Sequence, residues 1–251
     1  MPHSEPDHSE PDHEEDHFEQ HHEEDHEEEE DDDDEAKEVM VDFDFTDIQD
    51  SDYFGVLNLV KQVFGEDSQK VDLRAITTLI LESIGIVVKV DESDPYALMA
   101  IVNLNSQLRK YFSMDKIQRY LKNCSWLVND RLINMPTQLV PNLTRLVLEQ
   151  VKIESRYILY YCKMGRWVHS ELEENTKKRK MENYQVFYFQ PEDEIIEKYA
   201  LEKQDVEFDT QSMSSDAKRT FQEQGIVPFR RILILDNNLD QILKDLEAKI
   251  T

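Results

Sequence analysis

The first 38 residues of this chain cannot build a core. They hold 21 acidic side chains against one basic side chain, Lys37, and a single aromatic, Phe18. So little apolar surface cannot offset the entropy lost on ordering, and the segment is expected to be a disordered acidic tail. The pentapeptide His-Ser-Glu-Pro-Asp stands twice in tandem at 3–7 and 8–12, and Glu27–Asp34 is unbroken acid. The whole chain carries a formal charge of −27, from 28 Lys and Arg against 55 Asp and Glu, yet residues 39–251 account for only −7 of it. Folding therefore falls to residues 39–251, enough for one medium domain.

That distribution of charge sorts the possible partners. A dense polyanion repels nucleic acid and anionic lipid and attracts polycations. Direct nucleic-acid binding and membrane binding are therefore not expected, and a basic protein client is. The start of the chain has neither a basic n-region nor an apolar h-region, so no signal peptide is expected. No run approaches 18 apolar residues. Only two cysteines occur, Cys124 and Cys162, which suits a reducing compartment, cytosol or nucleus.

The pattern changes at Val39. Val39, Val41, Phe43 and Phe45 alternate with Met40, Asp42 and Asp44, the period of a half-buried strand. Ser51 or Asp52 is placed to cap a helix ending at Gly65, and Asp72 to cap a second. Strand-like 84–90 and 95–104, parted by an Asp-Glu-Ser-Asp turn, predict an antiparallel hairpin. A polar helix over 114–122 and an amphipathic helix over 137–151 follow, then strands at 155–164 and 184–190. A helix opening at Pro191 has acids in its first turn, where they complement the macrodipole. The strand 229–236 and a last helix close the chain. The interleaving predicts a single α/β (or α+β) domain on a mixed, largely antiparallel sheet, expected to act as a monomer.

Chemistry-bearing constellations are sparse. His3, His8, His13, His17, His21, His22 and His26 follow the repeat, far from any cysteine, so adventitious metal contact is expected and no dedicated site. The run Glu27, Glu28, Glu29, Glu30, Asp31, Asp32, Asp33 and Asp34 reads either as a solubiliser or as a polyanion that shields a cationic client. Lys177, Lys178, Arg179 and Lys180 form a basic tetrad, a nuclear-import signal or a solvated loop. His169 stands alone outside the tail, and no Gly-x-Ser-x-Gly, His-Glu-x-x-His or Cys-x-x-Cys pattern occurs. The five glycines are too scattered for a phosphate cradle, so no cofactor is expected. An acetyl-CoA-dependent N-acetyltransferase is the alternative, with Tyr160, Tyr161 or a glutamate as its acid or base.

The stretch Val-Asn-Asp-Arg-Leu-Ile-Asn-Met-Pro-Thr-Gln at 128–138, with the helix after it, resembles the signature of the BCCIP family. Thr137 stands where that family usually has a second proline. The opening at 39–65 and the stretch Val227–Asp236 are also similar to that family. The resemblance implies a GCN5-related acetyltransferase fold without the cofactor loop or the activity. It also implies a protein that shuttles between nucleus and cytoplasm, as chaperone and export adaptor for a large-subunit ribosomal protein in ribosome biogenesis. Arg131 and Asn134 of the signature are then candidate partner contacts. Equally, they may be read as serving the turn alone.

Overall fold

The computed structural model describes residues 41–250 apart from 92, 168–184, 208–218 and 220–222. The expectations for the acidic and His-rich tail, for His169 and for Lys177–Lys180 lie outside the described residues. Eight strands form one sheet: β1 (Asp44–Asp47), β2 (Ile84–Lys89), β3 (Ala97–Asn103), β4 (Cys124–Arg131), β5 (Tyr157–Trp167), β6 (Val186–Tyr188), β7 (Ala200–Glu207) and β8 (Ile226–Asp236). Their order is β1-β2-β3-β4-β5-β8-β7, with β6 paired to β5. Only β4 and β5 run parallel; every other pairing is antiparallel. The mixed, largely antiparallel sheet expected from the sequence is therefore present.

Among the described residues six helices cover it: α1 (Tyr53–Phe64), α2 (Leu73–Leu81), α3 (Ser106–Tyr111), α4 (Leu139–Gln150), α5 (Pro191–Glu197) and α6 (Leu239–Ile250). Strand side chains alternate between faces, so each strand feeds two cores. On one face Val87, Leu98, Val102, Trp126, Leu159 and Ile234 meet α1, α2 and the 105–123 segment. On the other, Ile86, Met99, Leu127, Ile158, Tyr160 and Leu233 meet α4, α5 and α6. Each such side chain, fully buried, contributes roughly 1.5–3 kcal/mol.

Local signals explain the helix ends. The Asp72 carboxylate accepts from the Ala75 amide at 3.1 Å and caps α2. Gly65 stops α1 at φ 54°, a conformation that favours glycine. Asp52 precedes α1 as expected, but its carboxylate takes the Gln49 amide at 3.0 Å and the Lys89 ammonium at 2.5 Å instead of capping the helix.

One expectation needs correction, and two elements had none. The polar helix expected over 114–122 is a run of turns. The regular helix there is α3, capped by Asn105, whose side-chain oxygen accepts from the Gln107 and Leu108 amides. The segment 124–131, left unassigned, is the buried central strand β4. The segment 200–207, also unassigned, is the edge strand β7.

Candidate binding surface

Strands β4 and β5 pair through Cys124–Leu127 and Tyr157–Tyr160 and then part. Farther along β5, its partner on that side is β6, at Met164–Arg166. Asn129, Asp130 and Arg131 stay paired with β3 but have no β5 partner, so a gap opens beside them, and α5 supplies side chains that fill it. Pro191 opens α5 and turns Glu192 and Asp193 inward, where both are fully buried.

These groups satisfy one another. Asp130 accepts from Lys163 Nζ at 2.7 and 2.9 Å, from Gln190 at 3.0 Å and from Gln62 at 3.1 Å. Arg131 forms a salt bridge with Glu192 and also donates to the Thr137 hydroxyl and the Met135 carbonyl. Asn129 donates to the Tyr160 hydroxyl at 2.9 Å, which donates to Asp193 at 2.8 Å. Burial pushes the Asp193 carboxyl well up, with neighbouring Glu192 adding to the effect. Burial also raises Glu192, outweighing the lowering by Arg131. One oxygen of each, Glu192 Oε2 and Asp193 Oδ2, has no hydrogen-bond partner. On Asp193 a proton removes the cost of an unpaired buried charge, whereas Glu192 faces the Arg131 guanidinium.

This has a sign. A carboxyl raised in the folded state keeps its proton where the unfolded chain, near pH 4, has already lost it. Its stabilisation is present below the unfolded value and is lost as pH rises towards the folded one. Asp193→Asn is therefore expected to flatten the fall in urea midpoint as pH rises above the ordinary carboxylate range. An unchanged slope in the variant contradicts the assignment.

The same burial bears on acid–base chemistry. Tyr160 is sealed in and its hydroxyl is held well above the ordinary tyrosine value by burial, then by Asp193. Burial likewise raises Tyr161. The Cys124 thiol is pushed up to about 12 and Cys162 is raised too, so both stay protonated and inert. The gap is a sealed polar plug, and its side chains are spent on each other.

Arg131, expected as an exposed partner contact, is buried and paired with Glu192. It lies on β4, so it braces the turn that follows. Asn134 does reach solvent. Between them stand two residues that sequence reasoning passed over. Leu132 is exposed, and Ile133 is 92% exposed. With Phe189 they rim a hollow of about 250 Å³ floored by Gln62, Arg131, Lys163 and Gln190.

The pairing registers place more of the surface beside this rim. Asp44 opposes Lys89 and Ala97 opposes Arg131, so the chain before β1, the β2–β3 turn and the 132–134 loop share one end of the sheet. The Leu132 amide donates to the Tyr96 carbonyl at 2.9 Å. Gly55 packs so close to Pro95 that a Cβ there would lie 2.3 Å from its Cδ, which brings the start of α1 to the same end. β5 runs parallel to β4, so Trp167 and Val186 finish there as well. Among the described residues, seven of nine exposed large hydrophobics sit at this end, and only Ile84 and Leu201 lie at the other. Exposed Asp42, Asp44 and Asp50 before α1, and Asp91 and Asp94 in the β2–β3 turn, add acid on the β1–β3 side. Exposed apolar side chains gathered at one end make it the candidate interaction surface.

Fold and surface together define an α/β/α domain whose central strands part around a sealed polar plug, below an exposed apolar rim. The BCCIP profile matches residues 38–196, and this chain belongs to the BCCIP family. It is 32% identical to the protein bcp1 of Schizosaccharomyces pombe, over 79% of this chain and 86% of that protein. It is equally 32% identical to bcp1 of Aspergillus fumigatus, over 84% and 89%. The solved BCP1 of Saccharomyces cerevisiae matches at TM-score 0.62 and 25% identity, over 90% of this chain and 94% of that one. A GNAT-family acetyltransferase from Staphylococcus aureus also matches, at TM-score 0.30 and 11% identity over 59% and 98%, and nothing about activity follows from that.

Proposed function

We propose that this protein is a non-enzymatic chaperone and nuclear export adaptor that captures a basic client, a large-subunit ribosomal protein in ribosome biogenesis, while shuttling between nucleus and cytoplasm. The observation that carries the reading is the apolar rim of Leu132, Ile133 and Phe189 at the end of the sheet that also bears exposed aspartates. Apolar anchors give an interface its affinity, and the nearby carboxylates select a cationic partner. Residues 1–38, with 21 acids, extend the same sign of charge. Charge of this kind accelerates encounter, but it is screened over about 8 Å at physiological salt, so specificity rests with the folded domain. The choice of a ribosomal protein and of nuclear shuttling rests on the family resemblance.

Deleting residues 1–38 is expected to slow capture about tenfold or more at low salt and to weaken its salt dependence, leaving client choice intact. Stopped-flow binding to a basic ribosomal protein, with histone as competitor, measures all three. A truncated protein that no longer tells the two clients apart contradicts the division of labour.

A further inference from the structure

The opposite end of the sheet carries the opposite charge. The segment 105–123 joins the end of β3 to the start of β4 and holds Arg109, Lys110, Lys116, Arg119 and Lys122 against one acid, Asp115, in a chain of net charge −27. Its apolar side is spent on the core, where Ile117 and Leu121 are buried. Its cationic side is not.

The backbone sets the spacing of these cations. The Ile117 amide bonds the Met114 carbonyl, Tyr120 that of Ile117, Leu121 that of Gln118 and Asn123 that of Tyr120. The Gln118 amide reaches one residue farther back, to the Met114 carbonyl, so the segment is a run of successive turns with Ile117 and Leu121 on the core side. Lys116, Arg119 and Lys122, three apart along these turns, are all exposed. Two tyrosines stiffen their flank. Arg119 lies over the Tyr120 ring at 4.7 Å, Tyr120 meets Tyr157 edge-to-face at 4.9 Å, and exposed Arg156 lies 5.2 Å from the Tyr157 ring. The nearby acids are Asp115, Glu154, Asp236 and Glu202, and Glu202 reaches Arg119 at 3.2 Å. That exposed pair is worth little and leaves most of the guanidinium in solvent.

We propose that these exposed cations are a second interaction surface, which takes an acidic segment of a protein partner. Five cations against one acid in this segment complement a run of carboxylates. Arginine offers a carboxylate a forked, bidentate contact. Single-stranded nucleic acid fits less well. It needs free aromatic faces on which bases stack, and here a guanidinium lies over each tyrosine ring. The surface stands whether or not the aspartate-bearing end holds a client.

The test is fluorescence anisotropy on the full chain with two probes, a labelled peptide of alternating Glu and Ser and a labelled oligouridine. The peptide is expected to bind at low salt and to weaken as salt rises. Lys116→Glu/Arg119→Glu/Lys122→Glu is expected to lose about ten- to hundredfold in affinity. The milder Lys116→Gln/Lys122→Gln is expected to lose about a few-fold, with an unchanged melting curve as evidence that both variants fold. Lys61→Glu/Lys198→Glu/Lys244→Glu changes net charge equally at exposed sites elsewhere and is expected to bind as the parent does. Equal loss in that control, tight oligouridine binding without peptide binding, or binding of neither probe overturns the proposal.

Discussion

Arg131→Ala is expected to cost about 3–5 kcal/mol of folding stability, the range for removing one partner of a buried ion pair. The reason lies in what the guanidinium leaves behind. Glu192 is fully buried, and Arg131 also ties the 132–138 turn through Met135 and Thr137. With the cation gone, the carboxyl either stays charged without a partner or takes up a proton, so the loss should grow as pH rises. Replacing both members with apolar residues, Arg131→Met with Glu192→Leu, should recover most of the stability, because well-packed apolar groups match a buried ion pair. Urea unfolding of the three proteins at two pH values measures this. A loss below about 1 kcal/mol in the single variant would mean that the pair does not brace the domain.

The largest expected effect on function comes from residues that the fold does not need. Leu132, Ile133 and Phe189 are exposed, so aspartate at all three should leave stability nearly unchanged. Client affinity should nonetheless fall about a hundredfold or more, as when apolar anchors are removed from the centre of an interface. Adding acid makes the surface more attractive to a cation at long range, so a charge-only mechanism predicts tighter binding by the same variant. The sign of the change separates the two.

Much of the fold could be read from the sequence because its elements are periodic. The 84–104 hairpin, α1, α2, α4, α6 and β8 follow apolar spacing with capping or stop residues at several of their ends. What escaped reading had polar residues where a core element usually has apolar ones. β4 ends in Asn129, Asp130 and Arg131, whose burial depends on Gln62, Lys163, Gln190 and Glu192 arriving from elsewhere in the chain. No local pattern announces such a partnership. β7 shows the same difficulty, since its half-buried positions include Glu202 and Gln204. The helix α3 is short for a visible period, though Asn105 is a capping residue that could have marked it.

The candidate surface was half legible. The signature at 128–138 holds Asn134, which is exposed, but Arg131, expected as an exposed contact, is buried at the end of β4. With β4 in position the arginine faces inward, and the following apolar pair is lifted into solvent. Apolar side chains are ordinarily taken as core, so Leu132 and Ile133 gave no warning by type. Their exposure follows only from the parting of β4 and β5 and from the turn that Arg131 holds.

Choice of a basic client by the folded domain is proposed to rest on its apolar rim. It is tested most directly by pull-down from cell extract with the full chain and with Leu132→Asp/Ile133→Asp/Phe189→Asp, washed at physiological and at high salt, with mass spectrometry of what remains. One ribosomal protein held in stoichiometric amount through the high-salt wash by the parent chain, and lost from the variant, is the predicted result. A mixture of basic proteins held alike by both and released by salt would contradict it, because capture would then reside in charge alone.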